Sequence, residues 1–191
     1  MYTCTVSSPS HFSGFQLQLR PQVVAFAGSR RGSLSESVTS SLVHAFYAVG
    51  LSFLTGCATG IDSCFRQALA QHPFAQHAMV ACAFENRARK LTSGGFAAFA
   101  VVPAGLSPAA ALHRRTVWMV RHCGLLVLFP AEWGRGSTLA FRTALYNLKP
   151  VFCASVAAPP PSPLYRIFPD SLFGIVSGFW VVPEGGARDE E

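Results

Sequence analysis

Along most of this chain, short apolar runs are followed by glycine-containing loops and then by apolar residues at helical spacing. The runs Val23 to Ala27, Ser52 to Thr55, Ala78 to Ala83, Ala97 to Val102, Leu125 to Phe129 and Val151 to Ala154 are aliphatic or β-branched and of strand length. From Ser33 to Val49, the residues Val38, Leu42, Val43, Phe46 and Val49 recur at helical spacing, and Ser33 with Glu36 makes a capping box. A second helix is predicted to start near Ile61 or Asp62, with Phe65, Ala68 and Leu69 on its inner face, and a third to cover about 108 to 122. A fourth is capped by Ser137 or Thr138, carries Leu139, Thr143, Ala144 and Leu148 as a stripe, and ends at Lys149-Pro150. Strand, loop and helix in repeating order is the pattern of parallel βαβ units.

A chain of 191 residues, half of them hydrophobic, suits one α/β domain. Residues 1–155 are assigned to it. Residues 156–183 are read as a proline-rich connector, Val156 to Asp170, and then an edge strand or hairpin, Phe173 to Val182, packed on the same domain. Residues 184–191 are expected to be a disordered acidic tail. The uncharged stretch Leu91 to Leu112 contains Pro103, Pro108 and several glycines, so it reads as strand and loop rather than a membrane span.

Charge and cysteine usage add a partner class and a compartment. Residues 1–183 hold fourteen basic residues against five acidic ones, and twelve of the fourteen are arginine. The planar guanidinium fork suits phosphate, so an anionic partner is expected. The six cysteines are scattered singly in apolar surroundings, without metal-ligand spacing; reduced thiols, no metal and no cofactor are expected. Polar residues from Ser7 to Ser13, broken by Pro9, do not fit a secretory signal, so the expected location is cytoplasmic.

Three loops, each between a predicted strand and a helix, carry the candidate chemistry. The first holds Gly28, Ser29 and Arg30, followed by Arg31. The second runs Thr55-Gly56-Cys57-Ala58-Thr59-Gly60-Ile61-Asp62, and the third includes Glu132, Trp133, Gly134, Arg135, Gly136, Ser137 and Thr138. Glycine permits close backbone approach, and helix-start amides with their dipole favour an anion. Asp62 has two readings: it complements the helix dipole, or it orders the loop or contacts a ribose hydroxyl. His113-Arg114-Arg115 lies on the third helix, where adjacent residues cannot all face one ligand, so at least one, Arg114 or Arg115 among them, is expected to reach the site. Glu85-Asn86-Arg87, after the third strand, has two readings, a further contribution to the site and, favoured, a surface turn. Trp118, Trp133 and Tyr146 are candidates for stacking on bases.

The order Gly-Ser-Arg, Thr-Gly-Cys-Ala-Thr-Gly-Ile-Asp, His-Arg-Arg and Gly-Arg-Gly-Ser-Thr resembles the DprA/Smf domain and the wider superfamily that includes the LOG "lysine decarboxylase-like" proteins. The resemblance covers about Val23 to Ser155, and the second motif is its most specific part. It implies a Rossmann-like, doubly wound, mainly parallel sheet with helices on both faces. DprA-like members bind single-stranded DNA and assist recombinase loading, LOG members hydrolyse the N-glycosidic bond of nucleoside monophosphates, and sensor domains of the superfamily bind nucleotide signals. LOG-type hydrolysis uses a glutamate at the end of Pro-Gly-Gly-Xaa-Gly-Thr-Xaa-Xaa-Glu; here Ala140 or Phe141 stands in its place. Glu132 and Asp62 are the only substitutes offered as catalytic candidates. The leading expectation is therefore a nucleotide-binding module without catalysis, with a phosphoribohydrolase and a single-strand DNA binder as alternatives. A homodimer through the apolar C-terminal hairpin is a further implication of the resemblance.

Overall fold

The protein is described as a computed structural model covering residues 23–130 and 133–184. Six strands form in the apolar runs: β1 (Val23–Gly28), β2 (Ser52–Gly56), β3 (Ala78–Cys82), β4 (Ala97–Ala100), β5 (Leu125–Phe129) and β6 (Val151–Cys153). Five helices alternate with them: α1 (Glu36–Ala48), α2 (Ile61–Leu69), α3 (Glu85–Thr92), α4 (Pro108–Arg121) and α5 (Arg135–Tyr146). The strands β7 (Tyr165–Leu172) and β8 (Val176–Pro183) complete one sheet in the order β4-β3-β2-β1-β5-β6-β8-β7. The first six pair in parallel, and β8 runs antiparallel to both β6 and β7. The chain is an α/β protein with a doubly wound, mainly parallel, Rossmann-like sheet.

Alternate residues of the central strands feed two cores, because side chains of a strand point to opposite faces. Val24, Phe26, Phe53, Leu125, Val127 and Phe152 pack with Leu42 and Phe46 of α1 and Phe65 of α2. On the other face, Ala25, Leu54, Leu126, Leu128 and Val151 meet Met119 and Val120 of α4 and Ala140 and Ala144 of α5. Phe26 stacks on Phe65 at 3.8 Å between ring centroids, which locks α2 over the middle of the sheet.

Four details correct the sequence reading. Ser35, not Ser33, caps α1, its side chain accepting from the Val38 amide. Helix α5 starts earlier than expected, at Arg135 with Gly134 as N-cap, so Ser137 and Thr138 lie inside its first turn instead of capping it. Residues 85–92 form a helix, not a surface turn; Ala88 is its one buried residue, which left hardly any apolar period to read. The connector ends at 164, and Tyr165 to Asp170 belong to β7, whose Pro169 is tolerated because β7 is the sheet edge. Glu184 closes the hairpin, its amide donating to Leu164 O at 3.0 Å and its carboxylate pairing with Arg166. The remainder of the expected acidic tail, 185–191, lies outside the described residues.

Candidate functional site

Strand order fixes where a cleft must open. From β1 the chain winds outward through β2 and β3 to β4, then returns across the sheet through α4 to β5, beside β1. The loops after β1 and β5 therefore part in opposite directions, and a crevice forms beyond the carboxyl ends of these two strands. Gly28, Arg30, Asp62, Arg115, Gly136 and Ser137 line a cleft there of about 50 Å³, with Met119, Leu128 and Ala140 as its apolar wall.

The first two loops are interlocked by backbone. Ser29 N donates to Phe129 O, and Ile61 N, at the start of α2, donates to Ser29 O, both at 3.1 Å. A Cβ at Gly28 would sit 2.6 Å from Phe129 O and 2.7 Å from Ile61 Cγ1. Gly60 has φ of 69°, and a Cβ there would lie 2.6 Å from Arg30 O. These glycines are required by the protein's own packing, and the first amide of α2 is spent on Ser29. Thr59 is exposed and donates through Oγ1 to Arg30 O at 3.3 Å, so it braces the loop pair.

Gly56 makes room for a buried ion pair. Arg115 reaches from α4 over the end of β2, and its Nη1 lies 3.2 Å from Asp62 Oδ2, both side chains being almost fully buried. A Cβ at Gly56 would lie 2.8 Å from Arg115 Cζ and would overlap Nη1 and the Asp62 carboxylate. Asp62 also accepts from Ala58 N at 3.3 Å, which ties the second loop to the start of α2. Arg115 Nε is buried and has no hydrogen-bond partner among the described residues. A buried guanidinium donor left unpaired costs about 1–3 kcal/mol, and the same residue is among those that line the cleft.

Helix α5 supplies the remaining donors. Gly134 makes no side-chain cap, and the first intrahelical bond is Thr138 N to Gly134 O at 3.0 Å. The amides of Arg135, Gly136 and Ser137 thus precede the hydrogen-bonded ladder, where the positive end of the helix dipole lies. Nothing stands within 4 Å of a Cβ built on Gly136. Unlike Gly28, Gly56 and Gly60, this glycine answers to no internal packing demand.

Sequence and structure differ over which residues share the site. His113 and Arg114 are exposed, and Arg115 alone of the three turns inward. Arg135 is exposed on the first turn of α5, and Thr138 faces a separate apolar groove beside Trp133 and Phe141. Glu132 lies outside the described residues. Trp118 is stacked on His122 at 3.9 Å, whereas Trp133 and Tyr146 are exposed. Two further arginines hold the second loop: Arg66, missed in the sequence, donates to Gly56 O and Ala58 O, and Arg87, of the Glu85-Asn86-Arg87 stretch, donates through Nη1 to Cys57 O at 3.0 Å. Burial pulls the Arg66 guanidinium below its ordinary range, with the Asp62 carboxylate opposing that shift. Part of the arginine excess is therefore spent on the fold. Among the described residues no cluster of His, Cys, Asp and Glu could hold a metal ion, and no helix is long and apolar enough to cross a membrane.

The fold and its cleft define a doubly wound α/β domain with a crevice of about 50 Å³ at the switch point. Solved structures of DNA processing protein A share that fold. The protein from Helicobacter pylori, described for its single-stranded DNA binding mode, matches with a TM-score of 0.56 and 18% identity over 75% of this chain and 67% of that one. The protein from Streptococcus pneumoniae gives 0.55 and 21% over 75% of this chain, which spans about half, 52%, of that longer one. No family model matches the chain, nor does any curated protein.

Proposed function

We propose that this domain binds single-stranded nucleic acid, seating one backbone phosphate in the cleft between Arg30, Arg115 and the first turn of α5. The observation that carries the reading is the cleft of about 50 Å³ at the switch point, lined by Arg30, Arg115 and the Gly136 and Ser137 residues of the first turn of α5. Pockets that enclose a whole small ligand run to roughly 300–1,000 Å³, whereas a water molecule takes about 30 Å³. A cleft of this size suits a phosphate-sized group, with base and sugar held at its rim. Exposed Arg30, Arg31 and Arg135 are offered for flanking phosphates, and Trp133, exposed in the neighbouring groove, for a base, the combination by which single strands are held without sequence preference. The likeness in fold to a protein described as binding single-stranded DNA supports the same reading.

The site is proposed to bind without hydrolysis. Ala140 stands in the cleft wall where the resemblance would place a carboxylate, and Asp62 is engaged by Arg115 and the Ala58 amide. The experiment is fluorescence anisotropy with a labelled oligodeoxynucleotide across a salt series, alongside incubation with AMP. Affinity should fall with salt with a slope of about 0.7 per phosphate engaged, and Arg30→Ala should flatten that slope by about one phosphate. No adenine should appear. Salt-independent binding of AMP in preference to the oligonucleotide, or release of adenine from AMP, would overturn the proposal.

A further inference from the structure

Beneath the second loop lies a pair of thiols that phosphate binding does not use. Strands β2 and β3 pair in parallel as far as Gly56 and Ala81, and the next residue on each is a cysteine, Cys57 and Cys82. Residues in register on neighbouring strands stand about 4.8 Å apart and point to the same face. That separation falls inside the roughly 4.4–6.8 Å between Cα atoms that a disulfide spans. The two side chains share one small cluster with Val80 and Ala88, under α3. Both are free and buried, and Cys82 Sγ donates to Val80 O at 3.9 Å.

We propose that Cys57 and Cys82 form a redox-active dithiol, with Cys57 attacking a peroxide and Cys82 resolving the product to an intramolecular disulfide. The Cys57 sulfur attacks one peroxide oxygen; the S–O bond forms, the O–O bond breaks, and the departing hydroxide takes a proton to leave as water. The Cys82 sulfur then attacks Cys57, the S–S bond forms, and the hydroxyl leaves with the Cys82 proton as a second water. Two thiols and hydrogen peroxide thus give one disulfide and two waters, and a thiol reductant reverses the change.

The surroundings divide the two roles. The neighbouring Cys82 side chain holds the Cys57 thiol below its ordinary range, helped by the Ala83 backbone and by Arg115 and Arg87, while burial opposes the shift. Cys82, deeper in the fold, is pushed up by its Cys57 neighbour and by burial. The lowered thiol ionises more readily, and the thiolate is the nucleophile. Burial pushes Cys123 up to about 11 and Cys153 up to about 12, which keeps both protonated and slow. A disulfide would also tether the turn whose Ala58 amide donates to Asp62.

The test uses the full-length Cys64→Ser protein, because trypsin leaves Cys57 and Cys64 on one peptide, residues 32–66, and Cys82 on another, residues 67–87. After hydrogen peroxide and digestion without reductant, mass spectrometry should show these two peptides joined with the loss of two hydrogens, and dithiothreitol should separate them. A sulfenic-acid trap applied to Cys82→Ser should label Cys57. The proposal is overturned if the peptides stay separate while Cys123 or Cys153 is oxidised, or if peroxide leaves all of these thiols unchanged. The linked-peptide measurement leaves both partners native, so it holds even where Cys82→Ser does not fold.

Discussion

Replacing Gly56 by alanine tests how the second loop is built, because the added methyl falls on the ion pair rather than into space. Its Cβ would lie 2.8 Å from Arg115 Cζ and closer to Nη1 and to the Asp62 carboxylate. Carbon contacts settle near 3.5–4.0 Å, so the guanidinium must retreat by about 1 Å, enough to break its 3.2 Å bond to Asp62. Breaking a buried pair costs about 3–5 kcal/mol. Alanine returns roughly 0.4–1 kcal/mol by narrowing the unfolded ensemble, which leaves a net loss of about 2–4.6 kcal/mol. Gly136→Ala is the matched control: its Cβ meets nothing within 4 Å inside the first turn of α5, so it should be neutral or stabilise by up to about 1 kcal/mol. Urea unfolding of the two variants beside the parent protein reads both values. If Gly56→Ala costs less than about 1 kcal/mol, or if the two substitutions shift stability alike, the account of Gly56 as the space for Arg115 and Asp62 is wrong.

Two further outcomes follow from the same groups. Asp62→Asn keeps the shape but removes the charge facing Arg115, so stability should fall by about 3 kcal/mol in urea, while oligonucleotide affinity holds or rises because the guanidinium is freed for phosphate; a tenfold loss of affinity at unchanged stability would make Asp62 a ligand contact instead. The lowered Cys57 thiol loses its proton at lower pH in the folded chain than in the unfolded one. The stability this contributes is complete above the ordinary thiol range and drains away as pH falls through the folded value. Thiolate ultraviolet absorbance of the folded protein should therefore rise below the ordinary thiol range, and Cys57→Ser should remove that step and flatten the pH dependence of the unfolding midpoint. An absorbance profile unchanged by Cys57→Ser contradicts this assignment.

The parallel sheet was legible because its six strands are apolar on both faces, so each run stood out without help from distant residues. Helix α3 was not, since Glu85–Thr92 buries only Ala88 and lies on the sheet's flank, where a polar helix leaves no stripe. The start of α5 was misplaced because Gly134 to Gly136 reads as a loop and Ser137 as a cap, whereas Gly134 is the N-cap and Gly136 a helical residue. The loops themselves could be located from strand-to-helix order, but the duties of their glycines could not. Gly28 answers to Phe129 O and Gly56 to Arg115, partners about a hundred and about sixty positions away in sequence. The same distance hides the division of labour among arginines: nothing local distinguishes Arg66, which holds carbonyls of the second loop, from Arg30, which faces solvent.

The central claim is that phosphate is held at the first turn of α5 beside Arg115, and Gly136→Asp tests it with the fold intact. The new side chain has open space, and a carboxylate at a helix start is worth about 0.3–1 kcal/mol of stabilisation, so the unfolding midpoint should hold or rise. Placed where the phosphate belongs, the same charge should weaken binding of a labelled single-stranded oligonucleotide at least tenfold in low salt. Affinity equal to that of the parent protein, in a variant at least as stable, would contradict the site.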